Sequence, residues 1–325
     1  MKPLRIVALF CTCVAGAVVP ASVVPAQNWP AKPVKLIVGN PPGGSADRFG
    51  RLLGHALSRS LKQQFVVENR PGNSAAIASL FVSKSEPDGY TLQVGASGPH
   101  VSAPLFVDVG YDPVNDFTHI AMIGGDSFVL TASKRTGIKS LAELVAAARA
   151  RKDPFNFATP GANSLGGIVL EGFRRQVGIE VQHVPYRSGG TAAQDMLGEH
   201  VHFAMLPVAT VGPLLRAQIV IPLAVTSRDR NPVFKDVPTF IELGYPKTSA
   251  ETWFWLAGPK NLPEAIVSRL YDETAAALKA PEVMKQFETE ALISRPVARG
   301  QMNRFVAEEL EHWRAIMRDV GLKPR

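Results

Sequence analysis

Cysteine is almost absent from this chain of 325 residues: its two cysteines, Cys11 and Cys13, both lie within residues 1–26. That segment has the pattern of a secretory signal peptide, because basic residues precede an apolar run that ends in small residues at a cleavage site near Ala26. We therefore expect export by a cleavable signal peptide and a mature chain without disulfides. A lipid anchor on either cysteine is the alternative, but neither lies in the sequence context that lipid attachment needs.

A strong excess of one charge is also lacking, since 35 basic and 28 acidic residues give a formal net charge of +7. No run of five lysines and arginines occurs, so we expect no nucleic acid partner. Beyond the leader, no apolar run reaches the roughly 20 residues of a membrane span. The mild positive charge suits anionic small molecules.

Catalytic and cofactor motifs are missing too. The sequence has no nucleophile elbow, zinc-protease, C-x-x-C, P-loop or dinucleotide-binding pattern. His200 and His202 lie two apart at a predicted strand end, but a zinc site needs three or four ligands and the sequence indicates no third one nearby. We therefore predict no catalytic residues, no cofactor and no metal.

Short β-branched runs alternate with amphipathic helical patterns from residue 34 onwards. The run 34–38 is followed by a helix that begins at Ser45, with apolar residues at spacings of three and four. Helices are also expected at 144–150, behind a capping box at 140–143, and at 264–279 and 298–320. This alternation predicts an α/β fold with parallel sheets. The further strand candidates are 65–68, 91–94, 128–132, 155–158, 181–184, 201–205, 222–226 and 252–257.

The length of the chain suggests about two domains. Two stretches have the composition of crossings between them: 128–137 and 228–249, the second rich in proline, glycine and turn residues. We place domain 1 at residues 27–126 and 249–325, and domain 2, inserted between these parts, at residues 127–248.

Three glycine-rich turns, each between a predicted strand and a helix, share one chemistry. Residues 41–47, 159–164 and 186–191 each place small residues and hydroxyls ahead of a helix. Free N–H groups and the positive dipole end of a helix can hold a carboxylate or phosphate there. These turns predict a ligand cleft between the domains. As ordinary helix caps they would bind nothing, and Asp47 would only complement its own helix dipole.

Longer motifs occur along the whole mature chain. They are 29–38 (WPAKPVKLIV), 41–44 (PPGG) with Asp47, 66–72 (VVENRPG), 87–92 (PDGYTL), 111–113 (YDP) with 116–117 (DF), 183–186 (HVPY), 223–227 (LAVTS) and 236–239 (DVPT). Together they resemble the extracytoplasmic solute receptors of tripartite tricarboxylate transporters, the Bug family. The resemblance implies a type II periplasmic binding protein fold, in which two α/β domains close on a small carboxylate without catalysis.

The resemblance also implies a location, partners and a site. The protein would be a periplasmic monomer that delivers its ligand to the membrane permease subunits of a tripartite tricarboxylate transporter. In the family, the first two turns grip one carboxylate of the ligand, partly through ordered waters. Carried over to this chain, the ligand-binding residues are Gly43, Gly44, Ser45, Asp47, Ser97, His100, Thr159, Gly161, Ser164 and Gly189.

Three departures from the family pattern bear on the ligand. Asn163 replaces a frequent glycine, Gly167 replaces a histidine, and residues 202–206 (HFAML) replace an Asp-rich stretch. The last change removes acidic groups, so it disfavours a ligand with an amine and favours an apolar or aromatic carboxylate.

Two alternatives stay open. The same protein could present its bound carboxylate to a two-component receptor kinase as a periplasmic sensor, which the cleft does not distinguish from transport. More remotely, Asp47 with a histidine such as His100 could serve a hydrolase or isomerase, although the sequence places no nucleophile beside a base.

Overall fold

The structure is a computed structural model that describes residues 29–325. The predicted signal peptide, with Cys11, Cys13 and the cleavage site near Ala26, lies outside the described residues. Within 29–325, none of the helices combines the length and the apolar character that a membrane crossing requires.

Nine strands and ten α-helices alternate along the described residues. The strands are β1 (Val34–Val38), β2 (Phe65–Asn69), β3 (Thr91–Ala96), β4 (Phe117–Ser133), β5 (Phe155–Thr159), β6 (Val181–Pro185), β7 (Phe203–Pro207), β8 (Val220–Val225) and β9 (Glu251–Pro259). The helices are α1 (Ser45–Leu61), α2 (Ala76–Ser83), α3 (Ala103–Phe106), α4 (Leu141–Ala150), α5 (Leu165–Val177), α6 (Gly189–Leu197), α7 (Val208–Arg216), α8 (Glu264–Ala277), α9 (Pro281–Glu290) and α10 (Met302–Asp319).

The strands form two sheets that share one long strand. The order is β2-β1-β3-β9-β4-β7-β5-β6, and β8 pairs with β4 as well. Strand β4 pairs with β9 as far as Ser127, with β7 from Phe128 onwards and with β8 from Val129 onwards. The chain therefore crosses from the first sheet to the second inside a single strand, with Asp126 and Ser127 at the crossing.

The prediction of an α/β fold is confirmed, but the expected parallel pairing holds for only part of each sheet. Strand β1 is parallel to β2 and β3, and β5 is parallel to β6 and β7. Strands β4 and β9, in contrast, pair antiparallel with their neighbours. Strand β4 is also 17 residues long, whereas only 128–132 was predicted. Because nearly every residue of β4 is buried, its first half has no alternating polar pattern that would mark it as a strand.

Each sheet has its own apolar core, and the C-terminal helix contacts both. In the first core, α1 contributes Phe49 and Leu53 beneath β1, β3 and β9. The second core surrounds Phe173 of α5 and also includes Trp313 of α10. At its other end, α10 inserts Phe305 against the two tryptophans of β9. The sheets are thus joined by β4 and by the packing of α10.

Local sequence explains where several helices begin. Ser140 accepts a hydrogen bond from the backbone N–H of Glu143 at 3.2 Å, and Glu143 accepts one from the N–H of Lys139 at 2.8 Å. The predicted capping box is thus present in a shifted form, because Glu143 accepts from Lys139, the residue before the cap, and not from Ser140 itself. Helix α10 begins at Met302, four residues later than expected, because the preceding residues form a turn.

Candidate functional site

The first turn, residues 41–47, is held by the carboxylate of Asp47. One of its oxygens accepts hydrogen bonds from the N–H of Gly43 at 3.0 Å and from Arg51 Nε at 2.9 Å, and the other accepts one from Asn69 Nδ2 at 2.9 Å. Asp47 is only 3% exposed, and Gly43 adopts φ +85°, which favours glycine. Asp47 therefore orders the turn, with both oxygens occupied by the protein itself.

Asp47 stays ionised at neutral pH. Burial raises its pKa, but the hydrogen bonds from Arg51, Gly43 and Asn69 outweigh that effect, so the net pKa is lower than the ordinary 3.8. A carboxylate at this place also complements the positive end of α1.

Helix α1 begins without a side-chain cap, because its N-cap residue is Gly44. The neighbouring Ser45 does not fill that role, since its hydroxyl points inward and donates to Asp126 Oδ2 at 3.2 Å. The first backbone N–H groups of α1 thus keep their capacity to bind an acceptor such as a carboxylate.

The second turn, residues 159–164, is closed by its own hydroxyls. Ser164 caps α5, accepting from the N–H of Gly167 at 3.1 Å while donating to the carbonyl of Gly161 at 2.7 Å. Thr159 Oγ1 also donates to that carbonyl at 3.1 Å and lies 2.6 Å from His183 Nε2. We had not selected His183 as a site residue. In the parallel pairing of β5 with β6, His183 is the partner of Phe157 and so lies diagonally across from Thr159, a neighbourhood that a single sequence does not reveal.

The third turn, at residues 186–191, lies beside the second one. The N–H of Tyr186 donates to the carbonyl of Thr159 at 3.0 Å, and Ser188 caps α6 by accepting from the N–H of Thr191. A Cβ added to Gly189 would lie 3.3 Å from Thr210 Cγ2. The start of α6 therefore packs against the start of α7.

Asp126 connects the first turn to the second sheet and was missed by the sequence analysis. Its carboxyl group is fully buried and accepts from Ser45 Oγ and from the N–H of Ala209, near the start of α7, at 3.3 Å. Burial raises its pKa to about 7, although the hydrogen bonds from Ala209 and Ser45 act in the opposite direction. A lone aspartate in an apolar strand gives no motif that would have identified it.

Ser97 and His100, which were also predicted to bind ligand, lie in the core of the first sheet instead. Both are 0% exposed. Ser97 Oγ accepts from the N–H of Trp253 at 2.9 Å, while the ring of His100 packs against Trp255 and His119. Burial and the neighbouring His119 lower the pKa of His100 well below 6.5, so it is neutral. Both side chains are thus enclosed by neighbouring residues of the first sheet, and their part in ligand binding stays a prediction.

The apolar stretch that replaces an Asp-rich segment belongs to the core as well. Residues 203–206 form most of β7 and are all 0% exposed. Their apolar character is explained by packing, so it gives no support to the expectation of an apolar or aromatic ligand. Within residues 29–325, no group of three or more histidine, cysteine, aspartate or glutamate side chains is arranged to hold a metal ion.

Comparisons with known proteins agree with this architecture. A family model described as "Tripartite tricarboxylate transporter family receptor" matches residues 49–322. The curated protein BugT of Bordetella pertussis is 32% identical over 315 residues, which is 95% of this chain and 94% of BugT. A protein encoded in the gbd 5' region of Cupriavidus necator is 29% identical over 91% of this chain and 90% of its own length.

Solved structures show the same fold. Rpa4515 of R. palustris, determined with adipate, superposes with a TM-score of 0.87 at 31% identity and covers 91% of this chain and 100% of its own. MatC of Rhodopseudomonas palustris, with bound malate, superposes with a TM-score of 0.81 at 28% identity, and the match covers 89% of this chain and 99% of MatC. The periplasmic binding protein BugD superposes with a TM-score of 0.84 at 23% identity, and the match covers 91% of this chain and 99% of BugD. The fold is therefore that of a periplasmic binding protein.

Proposed function

This chain belongs to the receptors of the tripartite tricarboxylate transporter family, which are periplasmic solute-binding proteins and not enzymes, and we propose that it captures a small carboxylate for the permease of such a transporter. The proposed route to the periplasm is the signal peptide at residues 1–26. The proposed hinge lies between residues 27–126 with 249–325 on one side and 127–248 on the other.

The observation that carries this proposal is the convergence of helix N-termini from both sheets. Ser45 and Ala209 meet at Asp126, which joins the start of α1 to the start of α7. Gly189 at the start of α6 lies against α7, and the turn before α5 is bonded to the turn before α6. Four helix N-termini thus lie in one continuous chain of contacts, which favours an anionic ligand.

A carboxylate is the favoured anion because of the relatives. Two solved neighbours with similar folds carry adipate and malate. In this chain the hydroxyls of Thr159 and Ser164 already bond within the second turn, whereas α1 has no side-chain cap. We propose that the ligand carboxylate is held by backbone N–H groups at Gly44 and Ser45 and at the turn containing Gly161, partly through waters. Closure around the ligand follows because it binds the closed form more tightly.

The test is binding of defined carboxylates to the mature protein, residues 27–325. Adipate, malate and a monocarboxylate panel are titrated by calorimetry and thermal shift, since a ligand that binds the folded state raises its melting temperature. Gly161→Asp should abolish binding while leaving the fold intact, because a Cβ at Gly161 meets only ordinary contacts of 3.8 Å and beyond.

The matched control is Gln64→Asp, which adds the same charge at an exposed residue beside the amino end of β2, opposite the edge where the turns lie. It should keep the wild-type affinity. If the whole panel leaves the wild-type melting temperature unchanged, or if Gly161→Asp binds as well as Gln64→Asp, the proposed carboxylate site is wrong.

A further inference from the structure

The C-terminal end of α9 is built into both halves of the protein. Phe287, near the end of α9, packs in the core of the first sheet. Ala291, which caps the helix, is only 1% exposed and lies among buried residues of the second sheet that include Val211 and Leu215 of α7. In the other direction, Ala209 of α7 is buried in the core of the first sheet. Each half thus buries one alanine in the other.

Two carbonyl groups at this helix end take their donors from the second half. Carbonyls at the end of a helix have no partner within it. The carbonyl of Thr289 accepts a hydrogen bond from Arg216 Nη1 at 3.0 Å, and the carbonyl of Ala291 accepts one from Asn231 Nδ2 at 3.1 Å. Arg216 is the last residue of α7, and Asn231 follows β8. The end of α9 is therefore completed by side chains of the other half.

The side chain of Asn231 is fixed in the orientation that this contact needs. It is 3% exposed, and its Oδ1 accepts a hydrogen bond from the N–H of Val233 at 2.9 Å. The NH₂ group of Asn231 is then left to face the carbonyl of Ala291. Because a buried donor that loses its acceptor destabilises the protein, Asn231 favours an arrangement of the halves in which Ala291 stays within reach.

The end of α9 is anchored to the first half and is not free to follow the second. Ile293, two residues beyond Ala291, exchanges two backbone hydrogen bonds of 2.8 Å with Gly125 of β4. Gly125 belongs to the part of β4 that pairs with β9 in the first sheet. The body of α9 packs in the first core as well, so the two acceptor carbonyls are held from both sides. A movement of the second half therefore carries both donors away from them.

Helix α7 meets the first half at both of its ends. At its start, the N–H of Ala209 donates to Asp126 at the crossing, and Asp126 also accepts from Ser45 of α1. At its other end, Arg216 donates to the carbonyl of Thr289. We call the arrangement in which α7 lies against α1 and α9 the closed one. Opening that moves α7 away from α1 and α9 breaks these contacts and exposes apolar surface that both halves bury when closed.

We propose that Asn231 and Arg216 are positioning residues: by donating hydrogen bonds to the end of α9, they hold the second half in the closed arrangement and so slow ligand release without touching the ligand. The inference rests on the proposed function, because closure retains a ligand only if one is bound between the halves. It adds a contact outside the three turns that determines how long the cleft stays closed.

The ligand-free protein provides the first test. Gln64→Cys and Lys152→Cys place one spin label on each half, and residues 27–325 contain no other cysteine. Pulsed electron resonance then measures how the molecules divide between the distances of the closed and the open arrangement. Variants that lose the contact with α9 should shift molecules from the closed to the open distance, because the closed arrangement alone makes this contact.

Two variants remove the donors one at a time. Asn231→Asp keeps the acceptor for the N–H of Val233 but sets an oxygen against the carbonyl of Ala291. The ratio of open to closed protein should therefore rise about tenfold in Asn231→Asp. Arg216→Ala loses one hydrogen bond at an exposed position, so the ratio should rise about threefold.

Arg149→Ala is the matched control. Arg149 also donates to a carbonyl at the end of a helix, that of Val177 in α5, but both residues belong to the second half. This variant should keep the wild-type ratio. A contact that only stabilised the fold would lower the melting temperature and leave the ratio unchanged. Wild-type ratios in both Asn231→Asp and Arg216→Ala, or an equal change in Arg149→Ala, overturn the inference.

Release of adipate and malate then separates this inference from the proposed function. Because a ligand leaves through the open arrangement, its dissociation in stopped flow should be about tenfold faster from Asn231→Asp and unchanged from Arg149→Ala. If neither probe binds while the label distances change as described, the carboxylate proposal fails for these ligands and the role of Asn231 stands. If both probes bind and leave Asn231→Asp at the wild-type rate, the role of the contact in ligand release is refuted.

Discussion

Substitution of Asp47 by asparagine tests how the first turn is built. Asparagine has nearly the same shape, but it has one acceptor oxygen where Asp47 uses two, so its NH₂ group must face a donor from Gly43, Arg51 or Asn69. A hydrogen bond to a charged group contributes about 1.5 to 3 kcal/mol. The ion pair with Arg51 adds little, because that side chain is 57% exposed.

We therefore expect Asp47→Asn to lower the free energy of unfolding by about 2 to 3 kcal/mol, seen as a fall of about 3 to 6 °C in melting temperature for a chain of this size. Arg51→Ala is the matched control, since it removes only the exposed partner and should cost less than about 1 kcal/mol. The wild-type advantage should be present above pH 4 and disappear as the pH falls through the lowered pKa of Asp47. The measurement is urea unfolding of the two variants. Equal losses of unfolding free energy in Asp47→Asn and Arg51→Ala would refute the view that the buried carboxylate organises the turn.

Three further outcomes are expected. Ser164→Ala should cost about 1 kcal/mol in urea unfolding and weaken carboxylate binding in calorimetry, because it removes the cap of α5; unchanged stability would contradict this role. Gly95→Ala should lower the melting temperature by an amount equivalent to about 1 to 3 kcal/mol, because the new Cβ would lie 2.6 Å from Trp255 Nε1. His100 and His119 are buried with lowered pKa values, about 4 for His119, so the unfolded chain takes up their protons first. Unfolding free energy should therefore fall from pH 6.5 towards pH 4 by up to about 1.4 kcal/mol per pH unit for each histidine, and replacing both with phenylalanine should flatten that slope.

The sequence was sufficient for features that depend on local patterns. The run 34–38, the start of α1 at Ser45 and the capping box of α4 all rely on residues close together in the chain. The antiparallel pairing of β4 with β9 joins residues more than 120 positions apart, and no local pattern reports it. The full length of β4 was missed for the same reason.

In the candidate site, too, the residues defined by local patterns were predictable and those defined by distant contacts were not. The three turns were recognisable because glycine and hydroxyl residues ahead of a helix have a local meaning. The buried position of His100 was not recognisable, since nothing in its neighbours along the chain shows that Trp255, Phe117 and His119 surround it in the fold. Asp126 was overlooked because its hydrogen bonds come from Ser45 and Ala209, which are each about 80 positions away in the sequence.

The side chains of the turns show why the class of ligand is easier to infer than its identity. Asp47, Thr159, Ser164 and Ser188 all use polar atoms in hydrogen bonds to the protein's own backbone or side chains. What the turns can offer a carboxylate is therefore largely backbone N–H groups and helix dipoles, which any carboxylate satisfies. Discrimination among carboxylates must then depend on the shape of the space between the two halves, and that shape depends on how closely α1 and α7 approach around Asp126. Residues that touch no ligand can thus determine which ligand is bound.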